Sequence, residues 1–336
     1  ATAETRSIAV LPFQDFSPES DQGYFADGLA EELIDRLAGI SGLRVIARTS
    51  SFSFREKNVD IGEIARKLDV GFVLEGSIRK DGNRIRITVQ LIDASTNSHV
   101  WSNSYERQLA SILDVQSEIA LSVADVLHLT LSDTPGQAVA KPVDPEAYQS
   151  YLLGRHFFNR RANGDIERSE QHYTEAVEID PDFARAWAGL AAVYWLKAHD
   201  PEQTAAWIGK MGIALDRALA NDPTLAEAHA RSCSYYWTIG DQNQSDKHWR
   251  LAQQHGTGTS LISYFAAGRA LRRGDYDRAR ELFRKALQKD PLSATAHANE
   301  AYLQMIAGRF DAAEAALDRA EQLNPEIRTT NEVTRA

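Results

Sequence analysis

The sequence predicts a mixed-sheet α/β domain followed by an all-α solenoid, on three observations. Roughly the first 130 residues alternate short apolar runs with helical patterns, as an α/β domain does. The remainder superposes on itself at a shift of 34 residues, the sign of a helical repeat array. Between the two, Asp133–Pro145 holds Pro135, Gly136, Pro142 and Pro145, a semi-rigid linker. Length agrees, because 336 residues exceed the roughly 250–300 over which a single core keeps growing.

The elements of the first part follow in order. Ile8–Leu11 is a short apolar strand; Phe25, Leu29, Leu33, Ile34 and Leu37 recur at helical spacing; Leu43–Ala47 is a second strand. Asp60 and Glu63 have the spacing of a capping box, with Ile61, Ile64, Ala65 and Leu68 on one face of the helix they would open. Phe72–Arg79 and Arg84–Asp93 flank the hairpin signal Lys80-Asp81-Gly82-Asn83, and Ile85, Ile87, Val89 and Leu91 alternate with polar neighbours. A strand at His99–Tyr105 then precedes a helix carrying Ile112, Val115, Ile119, Val123 and Val126.

In the second part, Gly240, Gly274 and Gly308 are spaced by 34 residues, as are Trp249, Phe283 and Leu317, Ala252, Ala286 and Ala320, and Pro291 and Pro325. Two earlier blocks fit with insertions: Trp187, Leu190, Tyr194, Ala218 and Pro223, and before them Leu153, Gly154, Phe157, Tyr173, Ala176 and Pro181. A period of 34 is that of the tetratricopeptide repeat (TPR), a helical hairpin whose small residues let its helices approach. The predicted organisation is an α/β domain over 1–132, a linker over 133–145, a TPR α-solenoid of about five repeats over 146–325 and a polar tail over 326–336.

Several segments of the first part carry a resemblance: Ile8–Phe13, Tyr24–Leu29, Val45–Phe52, Val73–Ser77 and Val89–Asp93. They resemble the TolB-type (FlgO-like) amino-terminal domain of bacterial proteins, which is commonly followed by TPRs. That resemblance implies the carboxy-terminal part of a larger regulator, with a winged-helix DNA-binding domain or a class III adenylate cyclase domain upstream, often across a membrane helix. It tilts the expected compartment toward the periplasmic side. The opening Ala1-Thr2-Ala3-Glu4, without an initiator methionine, fits an excised piece.

Composition bounds the function. With 43% apolar and 25% charged residues the chain is neither collagen-like nor disordered. The lone Cys233 allows no intrachain disulfide and no thiolate-rich metal site. A net charge of −10 argues against a chain whose affinity comes from neutralising phosphates, so direct nucleic-acid contact is not expected. No run of about 18 apolar residues is present to span a membrane. Phosphate loops, GxGxxG, HExxH and GxSxG are absent; the expectation is no catalytic site, no cofactor and no metal. His156 and His172 read as ordinary histidines, and Glu31, Glu32 and Asp182 as solvated acids on helix faces.

Protein or peptide partners are the expected ligands. In the TPR pattern the first helix of each hairpin lines a concave groove. The positions that would face it hold Tyr151, Arg155, Phe158, Trp195, Trp237, Tyr264, Leu271, Tyr302 and Met305, an apolar and aromatic stripe of the kind that hot spots favour. Phe183, Trp187 and Trp249 fall at packing positions instead. Arg155 and Arg185 lack the Lys and Asn that a clamp for an acidic chain terminus would need. A second candidate, for an anion, is Arg48, Ser50, Ser51 and Arg55, donors gathered after a strand end. The short tail after the last repeat suggests self-association there. Two readings stand against an interaction module of a regulator: a structural adaptor of a cell-envelope complex, and a small-ligand receptor using the α/β domain.

Overall fold

The computed structural model describes residues 6–19, 21–55, 59–82, 84–108, 112–128, 143–198, 202–256 and 260–324. Most of the expected linker and the whole tail lie outside them. The α/β part runs β1 (Arg6–Val10), β2 (Gln14–Asp15), α1 (Gly23–Ala38), β3 (Leu43–Val45), α2 (Arg48–Phe52), α3 (Ile61–Leu68), β4 (Phe72–Asp81), β5 (Arg84–Asp93), β6 (Ser98–Gln108) and α4 (Ile112–Val126). Every strand and helix read from hydrophobic period is present; the two-residue β2 and the single turn α2 were too short to show one.

The strands form one mixed sheet in the order β3-β1-β4-β5-β6, with β2 added beside β4. Pairings among β1, β2, β3 and β4 are parallel, while β4–β5 and β5–β6 are antiparallel. Strict alternation along β5 sends Ile85, Ile87, Val89 and Leu91 to one face, where they meet Ile8, Val10, Leu74 and the helices α1 and α4. On the other face Ala9 and Val73 are covered by Ile64, Ala65 and Leu68 of α3. The Asp60 carboxylate caps α3 by accepting the Gly62 N–H, but Glu63 pairs with Lys67 at 2.7 Å rather than reaching back.

The second part is five antiparallel hairpins. They are α5 (Pro145–Arg160) with α6 (Asp165–Ile179), α7 (Ala184–Lys197) with α8 (Thr204–Asn221), α9 (Ala226–Thr238) with α10 (Gln242–His255), α11 (Ser260–Arg272) with α12 (Tyr276–Lys289), and α13 (Ala294–Ile306) with α14 (Phe310–Leu323). The repeating glycines explain themselves: Gly240, Gly274 and Gly308 sit between the helices of a hairpin at φ +86°, +74° and +72°, a left-handed turn that glycine adopts without strain. Phe183 is buried, and Trp187 and Trp249 are half-buried against neighbouring helices.

The two parts do not have separate cores. A single cluster of buried side chains runs from the sheet through α1 and α4 into α5–α9, ending at Ala228. Helix α1 lies against α5 closely enough that a Cβ on Gly28 would stand 2.5 Å from the Leu152 side chain. The array touches the α/β domain a second time at the α12–α13 turn. There Ala47 N–H donates to the Lys289 carbonyl at 2.7 Å, Arg44 donates to the Gln288 carbonyl at 3.0 Å, and Leu292 packs beside Ile46 and Phe54.

Candidate protein-interaction groove

The first helices of successive hairpins, α5, α7, α9 and α11, pack side by side and form the inner layer of the array. At one end of this layer lies α1. Glu31 and Glu32, expected on a solvated helix face, are only 2% exposed. The correction has a clear cause: each carboxylate meets guanidinium groups from the array. Arg155 Nη2 is 2.8 Å from Glu31 Oε2, and Arg155 Nη1 is 2.8 Å from Glu32 Oε1. Arg185 pairs with the second oxygen of Glu32, Arg48 with the second of Glu31, and Asn159 donates to Glu31 at 3.1 and 3.2 Å. Burial alone would raise the Glu32 carboxyl, but Arg185, Arg155 and Arg36 outweigh it and hold it below the usual range. Asp35, one turn on, is raised above that range by partial desolvation at the edge of the junction and by Glu32, Glu227 and Glu31, with its 55% exposed side chain limiting the effect.

Tyr151 and Arg155, expected on an open groove, are therefore covered by α1. Tyr151 is buried with its ring 4.9 Å from that of Phe183, and its hydroxyl donates to Glu32. Leu271 also turns away from the groove and packs with Ala267, Ala270, Phe283 and Leu303. The anion cluster is corrected too. These donors lie on and just after the short helix α2, and three of the four are already held within the protein. Arg48 pairs with Glu31, Arg55 with Asp27, and Ser50 Oγ donates to Asp290 Oδ1 at 2.6 Å while accepting Leu292 N–H at 2.8 Å. Ser51 Oγ is buried without a hydrogen bond. Ser50 thus joins the α/β domain to the array, while Arg48 and Arg55 are held by acids of α1 within the α/β domain.

What remains uncovered lies farther along the inner layer. Phe158 is half-buried with the Arg161 guanidinium 5.1 Å from its ring centre, and Trp237 is half-buried with that of Arg272 at 5.7 Å. Tyr264 is 38% exposed and accepts a hydrogen bond from Asn299 at 3.2 Å; Tyr302 is 42% exposed. Trp195 packs half-buried against the main core, and Met305 is half-buried on α13. Arg161 lies beside Arg231 and Tyr264, and its pKa is lowered by burial and by Arg231. Arg272 is lowered in the same way, by burial and by Arg269. Arg231 is paired with Glu227 at 2.8 Å, whereas neither Arg161 nor Arg272 has an ion-pair partner among the described residues. The sequence pattern missed these arginines. Arg161 sits in the left-handed cap after α5, inside the insertion of the first repeat, where the positional rule does not reach. Arg272 follows the counted Leu271 by one residue, and Arg231 stands six residues before the counted Trp237 on α9.

The two histidines singled out earlier are apart in role: His156 Nδ1 is 3.9 Å from Asp27, and His172 pairs with Glu175 and stacks on Phe157. Among the described residues no group of three or more His, Cys, Asp or Glu is placed to hold a metal ion, and no helix is long and apolar enough to cross a membrane.

Residues 4–121 match the family model of the HilA/YgeH-like transcriptional regulator, second domain, and residues 270–328 match a tetratricopeptide repeat model. Over 192 residues, 56% of this chain, it is 41% identical to "Putative adenylate cyclase 3" of Rhizobium meliloti (strain 1021). The match spans only 32% of that relative, about a third of its length. Similar solved structures include PilF of Pseudomonas aeruginosa, 20% identical with a TM-score of 0.41, covering 53% of this chain and 77% of that one. Human IFIT1 is 17% identical with a TM-score of 0.47, covering 63% of this chain and 49% of its own. The chain thus combines a domain similar to the second domain of HilA/YgeH-like regulators with a run of TPR hairpins.

Proposed function

We propose that this chain is a non-catalytic sensory and protein-interaction part of a bacterial signalling or transcription-regulating protein. In this reading the uncovered stretch of the inner layer binds an extended, acidic segment of a partner protein, and the amino-terminal domain is of the TolB type. The observation that carries it is the pairing of exposed aromatic rings, Tyr264 and Tyr302 with the half-buried Trp237, with two guanidinium groups, Arg161 and Arg272, that no carboxylate of the described residues neutralises. Such a surface suits carboxylates through charge-assisted hydrogen bonds and apolar side chains through ring contact. The likeness to a regulator domain and to a cyclase relative supports a place in signalling. The last hairpin leaves Phe310 and Ile306 exposed, and there the chain self-associates; sedimentation at high concentration reads this directly.

The groove is tested by selecting displayed peptides against the whole chain. Acidic peptides are expected to be enriched, and the double variant Arg161→Ala, Arg272→Ala should bind them about thirtyfold more weakly while melting as the parent does. Enrichment of basic peptides, or unchanged affinity in the double variant, would sink the assignment.

A further inference from the structure

A cleft of about 700 Å³ opens on the sheet face opposite α1, in a part of the molecule the groove does not touch. It lies past the carboxyl ends of the parallel strands β1 and β3, the usual place for a ligand in an α/β sheet. Chain leaving β1 forms one wall through Leu11–Phe16, and chain leaving α2 forms another through Phe54 and Arg55. The face is open because α3 covers only half of it. Beyond Val73 the same side of the hairpin turns polar, with Glu75 opposite Gln90 and Ser77 opposite Thr88.

Two aromatic rings border this polar floor. Phe13 also lines the edge, but its ring is 3% exposed and packs in the core on the α1 side of β4, where a Cβ at Gly76 would stand 2.7 Å from it. Phe54 stands on the opposite wall, and Phe16 is 60% exposed at the rim. The charges can be sorted by what they already hold. The Asp15 carboxylate accepts the N–H groups of Ser17 at 2.9 Å and Gln22 at 2.7 Å, and Arg55 is paired with Asp27. Glu75, half-buried on the floor, has no hydrogen bond or ion pair among the described residues. The cleft therefore presents one uncommitted carboxylate among phenylalanine rings, in a volume typical of small-molecule sites.

We infer that this cleft binds a small organic cation, an amine or quaternary ammonium with an apolar body, whose charge meets Glu75 and whose body lies against Phe16 and Phe54. Both parts of the site favour a cation: the carboxylate by charge, the ring faces by their quadrupole.

The test uses the whole chain and three probes of nearly the same shape: phenethylammonium, 2-phenylethanol and 3-phenylpropionate, followed by calorimetry and thermal shift. Saturable binding and a raised melting temperature are expected for the cation alone. Glu75→Gln, at a half-exposed strand position, should fold normally and lose about tenfold or more in affinity, while Glu63→Gln, outside the cleft, should bind as the parent does. Equal binding of the alcohol or the carboxylate, no saturation by about 10 mM cation, or full affinity in Glu75→Gln would each overturn the proposal.

Discussion

The junction between α1 and the array makes a sharp prediction at Arg155. In an open groove this side chain would be a solvated cation, and Arg155→Ala would change stability by no more than about 0.5 kcal/mol, as exposed pairs do. In this structure Arg155 is the shared partner of Glu31 and Glu32, both 2% exposed, and it also donates to the Tyr151 hydroxyl at 3.0 Å. Removing one partner of a buried pair costs about 3–5 kcal/mol, because the charge left behind has lost its water and its counter-ion. Glu31 would keep Arg48 and Asn159, and Glu32 would keep Arg185, so the low end, about 3 kcal/mol, is expected. Arg155→Lys should recover little of it, since an ammonium cannot bridge two carboxylates as a guanidinium does. Urea unfolding followed by tryptophan fluorescence measures the loss. Adding Glu32→Gln to Arg155→Ala should restore part of the stability, because it removes one stranded charge. A loss below about 0.5 kcal/mol in Arg155→Ala would mean that α1 is not docked here, and the groove would then be open along its full length.

Other perturbations separate further parts of the structure. Gly28→Ala should destabilise by about 1–3 kcal/mol through the clash with Leu152, although helix propensity alone would favour alanine by about 1 kcal/mol; a raised melting temperature would contradict the packing of α1 on α5. Trp249 packs on Ala230, Ala252 and Ile262, so Trp249→Ala should cost about 3 kcal/mol in urea unfolding, whereas Trp237→Ala should melt nearly as the parent and weaken peptide binding. If the two melt alike, their roles are wrongly divided. The buried pair His229 and His248, Nδ1 to Nδ1 at 3.0 Å, makes stability depend on pH. Burial and the neighbouring His229 hold His248 at about 4, below the ordinary value of about 6.5. The unfolded chain then takes up a proton that the folded chain refuses, so the contribution is complete above about 6.5 and is lost as pH falls toward 4, by roughly 2 kcal/mol at pH 5. His248→Gln should flatten that slope, and an unchanged slope would place its origin elsewhere.

The fold was legible wherever period and turn chemistry act locally. The alternation of β5, the cap at Asp60 and the glycines of the hairpin turns each report a constraint that a few neighbouring residues impose. Two things escaped. No element is read at α2 because five residues show no helical period, and β2 is shorter still. More telling is the error at Glu31 and Glu32. Two adjacent acids on an amphipathic helix look solvated until Arg155 and Arg185, more than 120 residues away, are brought onto them. The same blindness made Arg48 and Arg55 look like an anion site: donors were visible, but not the carboxylates that already hold them. Ion pairs across a long sequence separation leave no local signature, so both halves of the junction were found and neither was matched to the other.

That junction also bears on how a chain with a net charge of −10 could present the proposed surface for an acidic partner. Where the α/β domain docks, the acids of α1 neutralise the guanidinium groups of Arg155 and Arg185, and a partner finds no free charge. Past the end of α1, Glu227 holds Arg231, while Arg161 and Arg272 lie beside aromatic rings with no carboxylate partner among the described residues. Helix α1 thus acts as an internal acidic ligand for the first part of the inner layer, and the remaining part is suited to a second ligand of the same charge. The position of α1 decides how many arginines are left to a partner. Anything that loosens its hold on Arg155 would lengthen the basic stretch of the groove, so Arg155 and Arg161 belong to one surface divided by occupancy rather than by chemistry.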